Sequence, residues 1–467
     1  MASIVSKKDE SYRQFALTAA PMKVIFSSCA PLALYQALQG IFTILDALMA
    51  SHIGSDAVSA VACLSQINLM ITALGGGLAV GGSIKISEAY GRGDYAQVQH
   101  RVATVYTMAV MVSVVVAVVL IPFAVPFLRL LQTPKDLIAT GTGYFRIQIL
   151  TLVIQFFNTV FIAISRSRGH AKKILVLNLV VVTVKLGLSA LFVYGMGSGV
   201  TMIAVATLLG QMLVLGYAIV TMRRDEGAFR FSLKNIRLKK DTVLPVLNIS
   251  YPISAEKMLF AAGKVIVNSM SGMYGSMTVG ALGISNNIGG LTTNWHMGFM
   301  DGGAPLISQN RGAGNHRRNL RIYGCLLIID VAIGVIGLAV VSGILPWLAQ
   351  VFAQSKNNFD QEFCDMIVDI HRWEMLGYIT LGINSATLSL LLGYGYTKLT
   401  MLLNVARVFV YRIPVLWFLQ KFTDLGPEAV GVTMMVSNVC VGVTAVIVAI
   451  PVVARIRKMA KEEEAEK

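Results

Sequence analysis

Asp46 sits inside the apolar run PLALYQALQGIFTILDALMASHIG (residues 31–54), well beyond Pro31. A carboxylate at such depth in a greasy segment is costly unless it is paired, hydrated or protonated. Asp46 is therefore a candidate to carry a proton, or to lend its oxygens to Na+. Gln39 lies seven residues earlier, near the same face of a helix. A second group follows in the other half of the chain. Lys257, Lys264 and Asn268 are spaced by seven and four residues, which places them on one helical face, with Glu256 beside it. Asn287, Asn294 and Asp301 recur every seven residues and form another stripe. Such stripes face protein or a wet cavity, never lipid. They either line a solute path or close on one another as an internal salt-bridge network. Lysines in a cavity would admit anionic or zwitterionic solutes beside cations. His296, a lone histidine in an apolar span, reads as a hydrogen-bonded core residue, with a proton relay as the alternative because histidine titrates in the right range. Arg407 and Arg412 need partners, for which Asp330 and Glu374 are candidates.

The elements that must position these residues follow from composition. The chain has 467 residues, 55% hydrophobic and only 13% charged, with a mean hydropathy of +0.68. A soluble domain carries about 25% charged residues, so this chain cannot face water all round. Apolar runs recur at lengths that cross a hydrocarbon core of roughly 30 Å. Twelve spans are expected, near 22–48, 57–85, 103–128, 138–164, 174–195, 200–222, 244–271, 278–308, 322–348, 366–392, 399–420 and 429–454. The fold class is an all-α polytopic membrane protein with two six-helix lobes: residues 1–222, a basic linker at 223–243, and 244–467 with its tail.

The formal net charge of +15 is a topology signal. Most Lys and Arg lie at the N-terminus, in the even-numbered breaks and in the tail RIRKMAKEEEAEK. The odd-numbered breaks hold only Arg129, Lys135, Lys356 and Lys421. By the positive-inside bias both termini are cytoplasmic in a multi-pass plasma-membrane (inner-membrane) protein, and nucleic acid is not an expected partner. The first 20 residues lack the apolar core of a cleavable signal, so the first span is expected to do the targeting. The five cysteines stand singly, without metal-binding spacing. No GxxxxGK[ST] phosphate loop occurs. Neither an enzyme nor a cofactor is expected, and no metal site.

The two halves repeat each other. At an offset of 221 residues, ISEAYGRGDYAQVQH (86–100) aligns with ISQNRGAGNHRRNLR (307–321), Pro31 with Pro252, and Gly77, Gly81 and Gly82 with Gly298, Gly302 and Gly303. At offset 226, Gly169 aligns with Gly395 and Asn178 with Asn404. Each half holds an even number of spans, so both enter the membrane from the same side. Parallel repeats of this kind are one plan of secondary transporters. The counterparts of Asn287, Asn294 and Asp301 are Gln66, Ala73 and Val80, so the acid belongs to the second half alone.

Taken in order, PLALYQALQGIFTILDALMASHIG, GGSIKISEAYGRGDYAQ, GMGSGVTMIAVAT, PISAEKMLFAAGKVIVN and PLISQNRGAGN resemble helices one, two, five to six, seven and eight of the multidrug and toxic compound extrusion (MATE) family. The resemblance covers nearly the whole chain. It implies a twelve-helix antiporter that exports organic cations or drugs against inward H+ or Na+. Asp46 then matches the family's cation-coupling aspartate, and Thr207 a threonine on its sixth helix. The chain departs from the family at Lys185, where Asn is usual, and at Ser189, where Asp is frequent. Lys185 would set a positive charge near any bound Na+, which is unfavourable at short range. An Asp46–Lys185 pair released by protonation is an alternative. The expected function is a monomeric, ion-coupled exporter of small molecules. The alternative is a flippase for a lipid-linked sugar or another anionic or zwitterionic substrate.

Overall fold

The computed structural model describes residues 6–53, 55–122, 135–197, 200–225, 227–353 and 360–465, with side chains described except at 41–71, 120, 135–145 and 200. No strand occurs among the described residues. Away from water, backbone N–H and C=O groups must pair within their own segment, and helices do that. A short polar helix, α1 (Lys7–Thr18), precedes α2 (Pro21–Ile53), α3 (Ser55–Arg92), α4 (Tyr95–Leu120), α5 (Lys135–Ser167), α6 (Ala171–Ala190) and α7 (Val200–Arg224). The second half contributes α8 (Lys240–Ser271), α9 (Ser276–Gly312), α10 (His316–Ala353), α11 (Gln361–Glu374), α12 (Tyr378–Gly393), α13 (Thr397–Ala406), α14 (Ile413–Phe422) and α15 (Glu428–Ala465).

Every expected span falls on one of these helices or on a joined pair, except that residues 123–128 of the third lie outside the described residues. A 3-10 turn (Met375–Gly377) joins α11 to α12, and a π turn (Arg407–Arg412) joins α13 to α14. A second π turn, Leu191–Gly195, ends α6. The chain is an all-α polytopic membrane protein whose twelve spans form two six-helix lobes. By length and apolar composition alone, eight stretches among the described residues qualify as spans. The more polar α8 and α9 are not among them.

The repeated phrases end α3 and α9 in the same way. Gly93 and Gly314 adopt φ of 78° and 79°, a left-handed conformation that suits glycine at a helix end. The Asp94 N–H donates to the Ala89 carbonyl at 3.1 Å, and the Asn315 N–H to that of Asn310 at 2.8 Å. Both pairs are related by 221 residues.

The helices cluster into two compact units, and neither is a continuous stretch of sequence. Unit one comprises Met1–Thr18 and Ile41–Met258; unit two comprises Ala19–Gly40 and Leu259–Lys467. The first half of α2 therefore belongs with the second-half helices, and the first half of α8 with the first-half helices. Glycines explain the fit. In unit one, a Cβ at Gly77 or Gly81 would fall on Ser254 or Ser250 of α8, and one at Gly82 on Val105. In unit two, a Cβ at Gly298 or Gly302 would fall on Ala33 or Cys29 of α2, and one at Gly303 on Leu326. Each contact in one unit maps onto its counterpart in the other at the same 221-residue offset. Small residues permit this close backbone approach.

The segment expected as a linker, 223–243, falls within unit one and is bonded to its α4. The carbonyls of Gly227, Asn235 and Arg237 are bonded by Gln99, His100 and Thr104 of α4, at 3.1, 2.9 and 3.2 Å. Phe229 is buried against Tyr90 and beneath the Arg168 guanidinium. Helix α1 closes the same end. Its Arg13 donates to the Gly91 carbonyl at 3.0 Å, and Tyr90 and Tyr95 bond the Asp9 carbonyl and the Glu10 carboxylate.

Candidate functional site

Buried polar groups inside an apolar bundle locate the chemistry, and among the described residues unit two holds most of them. Four helices meet at its centre. On α9, Ser285 donates to Glu374 at the end of α11 and lies 2.8 Å from His371 Nδ1. His371 Nε2 is 2.8 Å from the Tyr378 hydroxyl. Three turns along α9, His296 Nδ1 contacts Asp330 Oδ1 of α10 at 2.8 Å, with Asp330 wholly buried. His296 Nε2 and Asp330 Oδ2 have no hydrogen-bond partner among the described residues. The Ser385 hydroxyl of α12 holds the His296 carbonyl at 2.8 Å. Asp330, a candidate partner for the arginines from sequence, is thus taken by histidine. His296 is the hydrogen-bonded core residue that its solitary position in the sequence suggests.

The arginines find a different partner. Arg407 donates through Nε and Nη2 to Asn438 Oδ1 of α15, at 3.2 and 2.7 Å. Arg412 donates to Ser437 Oγ at 3.1 Å and to the same Asn438 oxygen at 3.3 Å. In an α-helix, side chains five residues apart point roughly 140° away from each other. The π turn, closed by i→i+5 bonds, returns both arginines to one side. Phe260 of α8 lies beneath the cluster. Its ring centre is 5.6 Å from the Lys264 ammonium and 5.6 Å from the Arg407 guanidinium.

The stripe on α9 is met by α2. Gln36 Nε2 donates to Asp301 Oδ2 at 3.1 Å. The Asn294 amide lies against Gly40, where a side chain would displace it. Asn287 is exposed. The structure thus joins Asn294 and Asp301 to the first span, and Lys264 to the arginine cluster. Gln39 on α2 is exposed and Glu256 on α8 is half-buried.

Unit one carries the remaining candidates. Lys257 is exposed, with its Nζ beside Gly76 of α3. Lys185 on α6 is half-buried and packs near Gly210 of α7. Ser189 is buried, and its hydroxyl has no hydrogen-bond partner among the described residues. Thr207 donates its hydroxyl to the Ile203 carbonyl at 3.1 Å. Asp46 falls on α2, but its side chain lies outside the described residues. Asn158, not singled out from sequence, donates to Gln211 Oε1 at 2.8 Å and ties α5 to α7.

Outside the membrane-spanning segments, unit one holds a buried charge triad. Arg168 bonds Asp9 Oδ1 at 3.3 Å and Asp225 Oδ2 at 2.5 Å. Burial works against the arginine charge, yet the two carboxylates hold its pKa above the ordinary value. Beside it, burial and the nearby positive charges of Arg168, Lys173 and Lys8 push His170 down to about 4.

No cluster of metal-binding side chains occurs among the described residues. The MatE family profile matches residues 31–191 and 252–418, one stretch in each half of the repeat. The chain is similar to the probable multidrug resistance protein YoeA of Bacillus subtilis, 22% identical over 416 residues, with 86% of this chain and 87% of that protein covered. It is also similar to the multidrug export protein MepA of Staphylococcus haemolyticus, 24% identical over 260 residues, covering 55% of this chain and 57% of that one. Among solved structures, a MATE protein in complex with MaL6 superposes with a TM-score of 0.91 at 18% identity, over 97% of this chain and 100% of that one.

Proposed function

The chain belongs to the MatE family, and on that footing we propose that it is a secondary-active exporter of small molecules. It works as an H+ or Na+ antiporter that exposes a substrate site alternately to the two sides of the plasma membrane, with both termini cytoplasmic. The names of YoeA and MepA, a multidrug resistance and a multidrug export protein, support drugs or organic cations as substrates.

The observation that carries ion coupling is the set of ionisable side chains kept within an apolar bundle: His296 with Asp330, His371 with Glu374, and the cations Lys264, Arg407 and Arg412. Each is costly in hydrocarbon, and a passive scaffold has no use for them. Asp46 is the proposed coupling carboxylate, with Lys185, Ser189 and Thr207 as its neighbourhood. Gln39, Glu256, Lys257, Lys264, Asn287, Asn294 and Asp301 are the proposed substrate path. The bonds of α9 to Gln36 and its seat on Gly40 would let a shift of α2 reach that path. One charge moving down 100 mV releases about 2.3 kcal/mol, enough for roughly a fifty-fold solute gradient.

Reconstituted vesicles test the reading. Ethidium efflux should follow an imposed pH or Na+ gradient, and Asp46→Asn should abolish that dependence. Efflux that responds to neither ion in the wild-type protein would overturn the proposal.

A further inference from the structure

Unit two contains more positive charge than its own carboxylates neutralise. Lys264, Arg407 and Arg412 surround Phe260 and Asn438. Among the described residues, none of the three lies within ion-pairing distance of a carboxylate; the ion pairs of this region are those of His296, His371 and Arg372. The acid whose field they share is Glu374. Glu374 is itself held by Ser285 and His371. Three cations therefore face one committed carboxylate.

Their donors are arranged unequally. Arg412 is 2% exposed and spends its bonds on Ser437 and Asn438. It acts as fixed background charge. Arg407 is half-buried and leaves Nη1 without a hydrogen bond to the described protein. Lys264 is accessible to solvent although it lies deep in the protein mass, and its ammonium makes no hydrogen bond to the described residues. Phe260 steadies both heads through its ring. The result is an ammonium and one edge of a guanidinium, each 5.6 Å from the centre of the same ring and each with donors left for an incoming group. A guanidinium edge suits the paired oxygens of carboxylate and phosphate. Uncompensated cations in a low-dielectric bundle strongly favour such a counter-charge.

We propose that Lys264 and Arg407, backed by Arg412, form a binding site for the acidic group, carboxylate or phosphate, of the exported solute. This rests on the exporter reading and extends its substrates, beside organic cations, to anionic or zwitterionic molecules. Two sources share that chemistry, a soluble acid and an anionic lipid headgroup, and the test separates them.

The purified full-length chain in neutral detergent is titrated with benzoate, inorganic phosphate and short-chain phosphatidylglycerol, with tetraethylammonium as the cationic control. Thermal unfolding is followed by intrinsic fluorescence. At least one anion should raise the Tm saturably, and tetraethylammonium should not. Lys264→Gln should weaken that anion about tenfold, as expected for loss of one charge-assisted bond, and Lys264→Arg should restore most of it. Arg407→Gln should act in the same direction. Lys264 makes no hydrogen bond whose loss would unfold the protein, so its variants remain informative if Arg407→Gln does not fold. A response to phosphatidylglycerol alone identifies a lipid; one to benzoate or phosphate identifies a soluble acid. No saturable response to any of the three, or equal binding by Lys264→Gln, overturns the proposal. The titration needs no gradient, so its failure leaves the exporter reading intact, and failure of gradient-driven efflux leaves this site intact.

Discussion

His296 and Asp330 show what a buried pair asks of its surroundings. Each is shielded from solvent, and their 2.8 Å contact is the main reason either is tolerated there. Removing one partner strands the other, which typically costs about 3–5 kcal/mol. His296→Leu and Asp330→Leu should each lower stability by that order in detergent unfolding, and the double replacement should recover much of the loss. Additive losses in the double variant would mean that the two residues are not coupled. Sequence spacing placed His296 and Asp330 on neighbouring spans but carried no signal that they meet. The same limit hid Ser285, His371 and Glu374, which are brought together by tertiary packing across 86 and 89 residues. What the sequence did convey was that Asp301 and Lys264 stand within apolar runs, because an ionisable residue there is conspicuous whatever it touches.

At the scale of elements, glycine decides how closely helices approach. A Cβ at Gly298 would occupy the backbone of Ala33, whereas one at Gly324 would meet nothing within 4 Å. Gly298→Ala should therefore destabilise unit two by about 1–3 kcal/mol, the usual cost of overpacking, while Gly324→Ala stays close to wild type in the same melt. The apolar glycine-rich runs announced close packing from sequence, but not which helix would fill the gap. The π turn at Arg407–Arg412 was likewise invisible, since a five-residue spacing reads as two different faces of an α-helix. At the turn between α5 and α6, pH enters. His170 is held down to about 4 from 6.5 by burial and by adjacent cations. A histidine lowered in the folded state adds stability that is complete above its unfolded value and vanishes as pH falls through its folded value. Unit one should therefore loosen between pH 6.5 and about 4, and His170→Gln should remove part of that slope. Parallel loss in both proteins across this window would exclude His170 as the titrating group.

Across the whole molecule, the repeat was the most legible feature, because equivalence of residues is written directly into the order of glycines, prolines and turn signals. Pairing was not. The 221-residue offset states that Ala33 corresponds to Ser254, but not that Ala33 packs on Gly298 and Ser254 on Gly77. The two leading helix ends, 19–40 and 240–258, each complete the unit built by the other half of the chain. A lone half would expose the glycine seam of α3 or α9 with nothing to cover it. A second copy of the same half would supply the missing piece, which is how exchanged dimers form. Duplication and fusion of such a half would write a swapped dimer as one polypeptide, and neither part could then be lost or folded on its own.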